Sequence, residues 1–401
     1  MARASLGLTG ADRGEMYGLD CGTHRDPRAL TAGRRPRRAT SHPLDSNRAN
    51  GSILALADPN LTAHTPPVKP SPPNTLPGNP HAHHKRRHAE PPNTPLRRLA
   101  SPSLQWGHLR GILGPVAGTG KTTIRDLRAR KRDHRPFPVL TCYDFSTARL
   151  LAEAGIDVIL VGDTYGEVIL GHDSTLPVTV DHLVTVTEAV RRGAPDAFLI
   201  GDMPFLSYQV SDQEAIRNAG KFMAVAGCDC VKLEVDRRHA DTVAAMSRAA
   251  IPVMAHLGLK PQSVRHLGHY CCQGKTAQDA LRIVEDARIM EQAGAVALLL
   301  EAVTNEVART VTQRTRLPVI GCVCGPHCDG QVLVLHDVLG YSAGHRPRAV
   351  KSYANLHETL TRAFAQYAHD IVERDYPTES DGVAMPDDEC RQFQKRLADL
   401  P

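Results

Sequence analysis

Four acidic residues each close a run of apolar residues. Asp163 ends Asp157-Val-Ile-Leu-Val-Gly-Asp163, Asp202 ends Ala197-Phe-Leu-Ile-Gly-Asp202, Glu234 ends Cys230-Val-Lys-Leu-Glu234, and Glu301 ends Ala297-Leu-Leu-Leu-Glu301. They stand 39, 32 and 67 residues apart, which fits one, one and two repeats of a strand-plus-helix unit. Carboxylates brought together could hold a hard cation, exchange protons, or do both. Residues two apart on a strand point to the same face, so Lys232 projects with Glu234. A lysine buried among carboxylates is costly unless it is paired or meets an anionic substrate group. A structural ion pair is the plainer reading of the same pattern.

Oxygen-only ligands favour Mg²⁺ over zinc. Held by one or two carboxylates, Mg²⁺ keeps positions open for waters and a chelating substrate. A 2-oxo acid fits, because its carboxylate and keto oxygen can bind the ion together. The metal then makes the neighbouring C–H acidic and stabilises the enolate. One carboxylate must stay off the metal to take that proton, and Glu301, two repeats beyond Glu234, is the candidate base.

The elements that must position these groups are legible from about residue 123 onward. Strands are expected at Val139–Asp144, into Asp163, into Asp202, at 230–234, at Val253–Leu257, into Glu301, at Val319–Val323 and at Gln331–His336. Helices are expected from Ser146 to Gly155, over Val180–Arg192, after the capping box Ser211-Asp-Gln-Glu214, and from Thr276 to Gly294. Short apolar runs alternating with amphipathic helices imply a parallel sheet, and eight strands in this length imply a (β/α)₈ barrel, with a doubly wound open sheet as the rival. In such a barrel the strand ends gather at one mouth, where the chemistry is done.

Charge divides the chain. Residues 1–122 hold 17 Lys and Arg against 7 Asp and Glu, and the remainder holds 31 against 36. The first third also carries 16 of the 29 prolines and the cluster His81-Ala-His-His-Lys-Arg-Arg-His88. It shows no sustained apolar period, so it reads as a disordered basic extension over residues 1–120. The barrel is expected over 121–375 and a C-terminal tail over 376–401. The basic cluster reads as a solvated tail, and no nucleic-acid partner is expected. No run approaches the length of a membrane span. Ten cysteines at irregular spacing suggest reduced thiols in a cytoplasmic protein.

Three motifs invite other chemistry. Gly114-Pro-Val-Ala-Gly-Thr-Gly-Lys-Thr122 looks like a phosphate-binding loop, but it has one residue too many before Gly-Lys-Thr and no strand leads into it. Cys322-Val-Cys324-Gly-Pro-His327-Cys328 could hold zinc, yet no second ligand pair stands at suitable spacing, and buried free cysteines behave as small apolar residues. His256 reads either as a satisfied core histidine or as a group near the substrate.

Four blocks carry a resemblance: Gly171-His-Asp-Ser-Thr-Leu-Pro-Val-Thr179, Arg191-Arg-Gly-Ala-Pro195, His256-Leu-Gly-Leu-Lys-Pro-Gln-Ser-Val264 and Asp329-Gly-Gln-Val-Leu-Val-Leu-His-Asp337. Over about residues 122–375 the chain resembles the ketopantoate hydroxymethyltransferase family. The resemblance implies a (β/α)₈ barrel, Mg²⁺, a decamer, and transfer of a one-carbon unit from 5,10-methylenetetrahydrofolate to 3-methyl-2-oxobutanoate on the way to pantothenate. It puts the metal carboxylates on Asp163, Asp202 and Glu234. It puts the substrate contacts on Asp163, Thr164, Asp202 and Lys232, and the proton acceptor on Glu301.

Several positions depart from the family pattern. Thr164 stands where serine is usual, and Cys271 where a basic residue is usual. Val323 replaces a glycine in Gly321-Cys-Val-Cys-Gly325, and Val235 and Asp236 replace two glycines after Glu234. Branched residues forbid backbone approaches that glycine permits. Two rival functions follow the residues less well. One is a Mg²⁺-dependent carbon–carbon lyase like phosphoenolpyruvate mutase or isocitrate lyase, opposed by the Gly171–Thr179 block. The other is a non-catalytic barrel recruited through its basic tail, opposed by the intact Lys232, Glu234 and Glu301.

Overall fold

The computed structural model describes residues 120–341 and 349–400; the expected disordered extension lies outside them except for Gly120. Eight parallel strands close into a barrel in chain order. They are β1 (Phe137–Thr141), β2 (Val158–Val161), β3 (Phe198–Asp202), β4 (Cys230–Glu234), β5 (Val253–Gly258), β6 (Ala297–Glu301), β7 (Val319–Cys322) and β8 (Gly330–Leu333). β8 pairs back onto β1, with Val332 opposite Val139, so no strand edge is left open. This is the expected (β/α)₈ barrel, and the open-sheet rival is excluded.

Strand alternation sorts the side chains into two cores. Phe137, Val139, Val158, Leu160, Phe198, Ile200, Cys230, Met254, Ala297, Leu299, Ile320 and Val332 pack together inside the barrel. Their neighbours Ile159, Leu199, Val231, Val253, Leu298 and Val319 pack outward against the helices. Stepping two residues along each inward row reaches Asp202, Lys232, Glu234, His256, Glu301 and Cys322. The barrel interior is therefore apolar below and polar at the C-terminal mouth. Register brings the polar rows side by side: Asp202 pairs with Lys232, Glu234 with His256, and Glu301 with Cys322.

The helices cover the outer core with one apolar stripe each. Val180–Gly193 buries Leu183, Val184, Thr187 and Val190, the three-and-four spacing of an amphipathic helix. In Asp212–Ala224, Ser211 Oγ accepts from Glu214 N at 3.2 Å, the forward half of the expected capping box. The helix Leu356–Glu373 is different, because it buries none of its residues. Its Phe364, Tyr367 and Val372 are 65, 60 and 76 % exposed. No helix among the described residues is long and apolar enough to cross a membrane.

Several strand boundaries differ from expectation: β2 stops at Val161, which leaves Asp163 just beyond its end, and β5 runs one residue further, to Gly258. β1 stops at Thr141 because Asp144 turns to cap the next helix, accepting from Thr147 N at 2.8 Å. β8 stops at Leu333, and residues Leu335–Leu339 form a short helix. β7 stops at Cys322, where Val323 takes a φ of 51°. A β-branched residue in the left-handed region is sterically strained, at a cost of roughly 1–2 kcal/mol. Val323→Gly should therefore stabilise the fold by about 1 kcal/mol after glycine's entropy cost. Its melting temperature should rise by about 2–4 °C, and a fall would refute the strain.

The phosphate-loop look-alike ends on the barrel floor. Lys121 pairs with Asp229, and Thr122 Oγ1 donates to Asp157 Oδ2 at 3.0 Å. Asp157 and Asp229 immediately precede β2 and β4, at the end opposite the polar mouth. The lysine and threonine thus pin the chain to the barrel, and their polar groups are engaged by protein rather than by phosphate.

Candidate active site

The C-terminal mouth holds a cleft lined by Asp163, Thr164, Asp202, Lys232, Glu234, His256, Tyr270, Glu301 and Cys322 among others. Every site residue expected from the sequence lies there. Asp163, Asp202, Lys232, Glu234, His256 and Glu301 are all buried. Lys232 Nζ pairs with Asp202 Oδ2 at 2.9 Å, and the same oxygen accepts from Asp163 N at 3.0 Å. Thr164 Oγ1 lies 2.6 Å from the Tyr143 hydroxyl, so the extra methyl relative to serine does not remove its hydrogen bond.

His256 connects the lysine to the candidate base. Its Nδ1 is 3.4 Å from Lys232 Nζ, and its Nε2 is 3.4 Å from Glu301 Oε2. Burial and then the Lys232 charge hold the imidazole below its ordinary pKa, so it is neutral near pH 7. An ammonium only donates, so Nδ1 must accept and Nε2 must carry the proton. That N–H is directed toward the Glu301 side and, although buried, meets no well-aligned acceptor. Of the two readings of His256, the site-facing one matches this geometry.

Burial dominates the electrostatics. Five carboxylates, Glu167 among them, share the cleft with one lysine. Burial pushes the Asp202 carboxyl up to about 8; Lys232 opposes the shift and Asp163 adds to it. Burial also raises Glu234 well above the ordinary carboxylate range. Burial opposes the Lys232 charge, but Asp202, Asp163 and Glu234 outweigh it and raise the ammonium's pKa. The excess negative charge can be relieved by protons or by a cation.

A cation fits one observation directly. Asp202 Oδ1 is buried with no hydrogen-bond partner, a costly state for a carboxylate oxygen unless something positive meets it. Asp163 and Asp202 are joined through a backbone hydrogen bond, and Glu234 is joined to Asp163 through Gln262. Among the described residues, no three or more His, Cys, Asp or Glu side chains already form a compact metal cage. That is compatible with Mg²⁺, which commonly uses one or two carboxylates plus waters and substrate. It also leaves the cysteine cluster without a zinc cage, although Cys324 and Cys328 have sulfurs 3.6 Å apart.

Gln262, Tyr208 and Tyr270 join the site without having been expected. Tyr270 lines the cleft, and burial, followed by the Glu167 and Glu301 charges, raises its pKa. Gln262 lies inside the His256–Val264 block, yet neither its type nor its spacing signals a site residue. Near it, the replaced glycines have formed a clamp: Asp236 pairs with Lys260 at 2.8 Å and Arg238 at 2.7 Å, and Val235 is buried.

Comparison with known proteins identifies the family. The ketopantoate hydroxymethyltransferase family profile matches residues 121–379. A 3-methyl-2-oxobutanoate hydroxymethyltransferase of Geobacillus sp. (strain WCH70) is 46% identical over 267 residues, covering 67% of this chain and 96% of that protein. One from Syntrophomonas wolfei subsp. wolfei is 45% identical over 259 residues, 65% of this chain and 94% of that protein. A solved phosphoenolpyruvate phosphomutase from Streptomyces platensis subsp. rosaceus is 15% identical with a TM-score of 0.43, covering 69% of this chain and 100% of that one; a likeness so slight says nothing of chemistry. The match of profile and relatives across the whole barrel shows that this chain belongs to the ketopantoate hydroxymethyltransferase family.

Proposed function

We propose that this chain transfers a hydroxymethyl group from 5,10-methylenetetrahydrofolate to 3-methyl-2-oxobutanoate, giving 2-dehydropantoate for pantothenate synthesis. Family membership supports the reaction. The observation that carries the chain's own part is the buried row Asp202–Lys232–His256–Glu301, with contacts of 2.9, 3.4 and 3.4 Å along it. Asp163 and Asp202, joined by a backbone hydrogen bond, with Glu234 tied to Asp163 through Gln262, would hold Mg²⁺, one or two of them directly, and the ion would supply Lewis-acid polarisation of the ketone.

The protein groups divide the remaining work. Glu301 takes the C3 proton of the 2-oxo acid, so the electron pair moves onto the keto oxygen. Lys232 offers positive charge to the anionic substrate. Neutral His256 accepts from the ammonium at Nδ1 and turns its Nε2–H toward the Glu301 side of the cleft. The new C–C bond forms between C3 and the donor's one-carbon unit, tetrahydrofolate leaves, and one water supplies the hydroxyl oxygen. The test is direct: incubating the chain with Mg²⁺, the folate and the 2-oxo acid should yield 2-dehydropantoate, and no product would sink the proposal.

Metal and pH should act together. A carboxyl whose folded pKa is raised costs stability as pH rises through the interval between its unfolded value and that raised value. For Asp202 this interval runs from 3.8 to about 8. The metal-free chain should therefore melt at lower temperature at pH 8 than at pH 5, and added Mg²⁺ should recover more at pH 8. Equal Mg²⁺ stabilisation at both values would contradict the carboxylate site.

The exposed apolar stripe of Leu356–Glu373 supports action as a homo-oligomer, with the family's decamer as the proposed size. Light scattering after size exclusion should give a mass near ten chains. Phe364→Glu with Tyr367→Glu should lower it, and a parent that runs as a monomer would refute the proposal.

A further inference from the structure

Gln262 lies in the turn Pro261–Ser263 after β5, and it is 4 % exposed. Its Nε2 donates to Asp163 Oδ2 at 2.9 Å and to Met203 O at 3.0 Å. Its Oε1 accepts from the Tyr208 hydroxyl at 3.0 Å. Its backbone N donates to Glu234 Oε1 and Oε2 at 3.2 and 3.1 Å. One residue thus reaches two carboxylates that lie 99 and 28 positions away in the chain.

The amide has only one workable orientation. The Met203 carbonyl can only accept, so nitrogen must face it, and the same nitrogen then faces Asp163. Tyr208 fixes the other end. Its hydroxyl accepts from Glu234 N at 3.1 Å, and its single proton is shared between Glu234 O and Gln262 Oε1, each at 3.0 Å. Two buried carboxylates repel each other and lose rotamer freedom when drawn to one ion. A donor fixed on each sets its direction in advance.

We propose that Gln262, oriented by Tyr208, is a positioning residue that presents Asp163 and Glu234 to the divalent cation. The inference rests on the Mg²⁺ reading above. Gln262 meets the carboxylates, so it governs cation affinity rather than the proton transfer itself. The Asp236–Lys260 pair anchors the same turn from outside, two residues before Gln262.

The test is calorimetric titration of Mg²⁺ into the full chain, with steady-state turnover alongside. Gln262→Met keeps the side-chain length and the backbone contact to Glu234 but removes the amide. Its Mg²⁺ dissociation constant should rise by roughly 10–100-fold. Its activation constant for Mg²⁺ should rise in step, while kcat at saturating Mg²⁺ stays within about threefold of the parent. A merely structural role would instead lower kcat at every Mg²⁺ concentration. Tyr208→Phe, a milder change, should shift the affinity in the same direction and serves if Gln262→Met fails to fold. Unchanged affinity in the folded variants of a parent that binds Mg²⁺ overturns this proposal alone. A parent that binds no Mg²⁺ overturns the cation reading and this proposal together.

Discussion

Glu301→Gln should lower turnover, and the exchange of the C3 proton of 3-methyl-2-oxobutanoate, by roughly 10²–10⁴-fold, the usual range for losing a general base. Glutamine keeps the size of Glu301 and an oxygen that can accept from His256 Nε2, 3.4 Å away in the parent. Only the basic carboxylate is lost. Mg²⁺ and the 2-oxo acid should therefore bind with near-normal affinity, which isothermal titration would report. Glu234→Gln should do the reverse and mainly weaken Mg²⁺. Parent-rate exchange in Glu301→Gln would mean that another group takes the proton.

Asp202→Ala and Asp163→Ala should each abolish Mg²⁺-dependent turnover while the barrel still folds. Asp202 is the sharper case. It holds Lys232 and the Asp163 backbone through Oδ2 and leaves Oδ1 buried without a protein partner. Removing it should leave Lys232 buried without its nearest counter-charge, so the ammonium's pKa should fall. Circular dichroism would check the fold and titration the loss of Mg²⁺ binding. Full activity in either variant after chelation and Mg²⁺ readdition would remove that residue from the site.

The site was legible where strand geometry dictates it. Asp202, Glu234 and Glu301 end inward-facing rows that continue apolar barrel residues, so a period of two in the sequence already aims them at the mouth. Lys232 follows from Glu234 by the same rule. Gln262 and Tyr208 were not legible, because their partners are reached by loops folding over the mouth rather than by any local period. Neither was the left-handed turn at Val323, where the sequence reads as an unbroken strand. The exposed face of Leu356–Glu373 has the pattern of a packed helix, and pattern alone cannot say what covers it.

Proton exchange without the folate isolates the central claim, that buried carboxylates and a cation make the C3 proton of a 2-oxo acid labile. The measurement is proton NMR of 3-methyl-2-oxobutanoate in D₂O with the full chain, first with Mg²⁺ and then with chelator. The account predicts that the C3 signal disappears with Mg²⁺ and persists with chelator, and that Glu301→Gln slows its loss. A C3 signal that stays intact with parent chain and Mg²⁺, or vanishes equally with chelator, would contradict it.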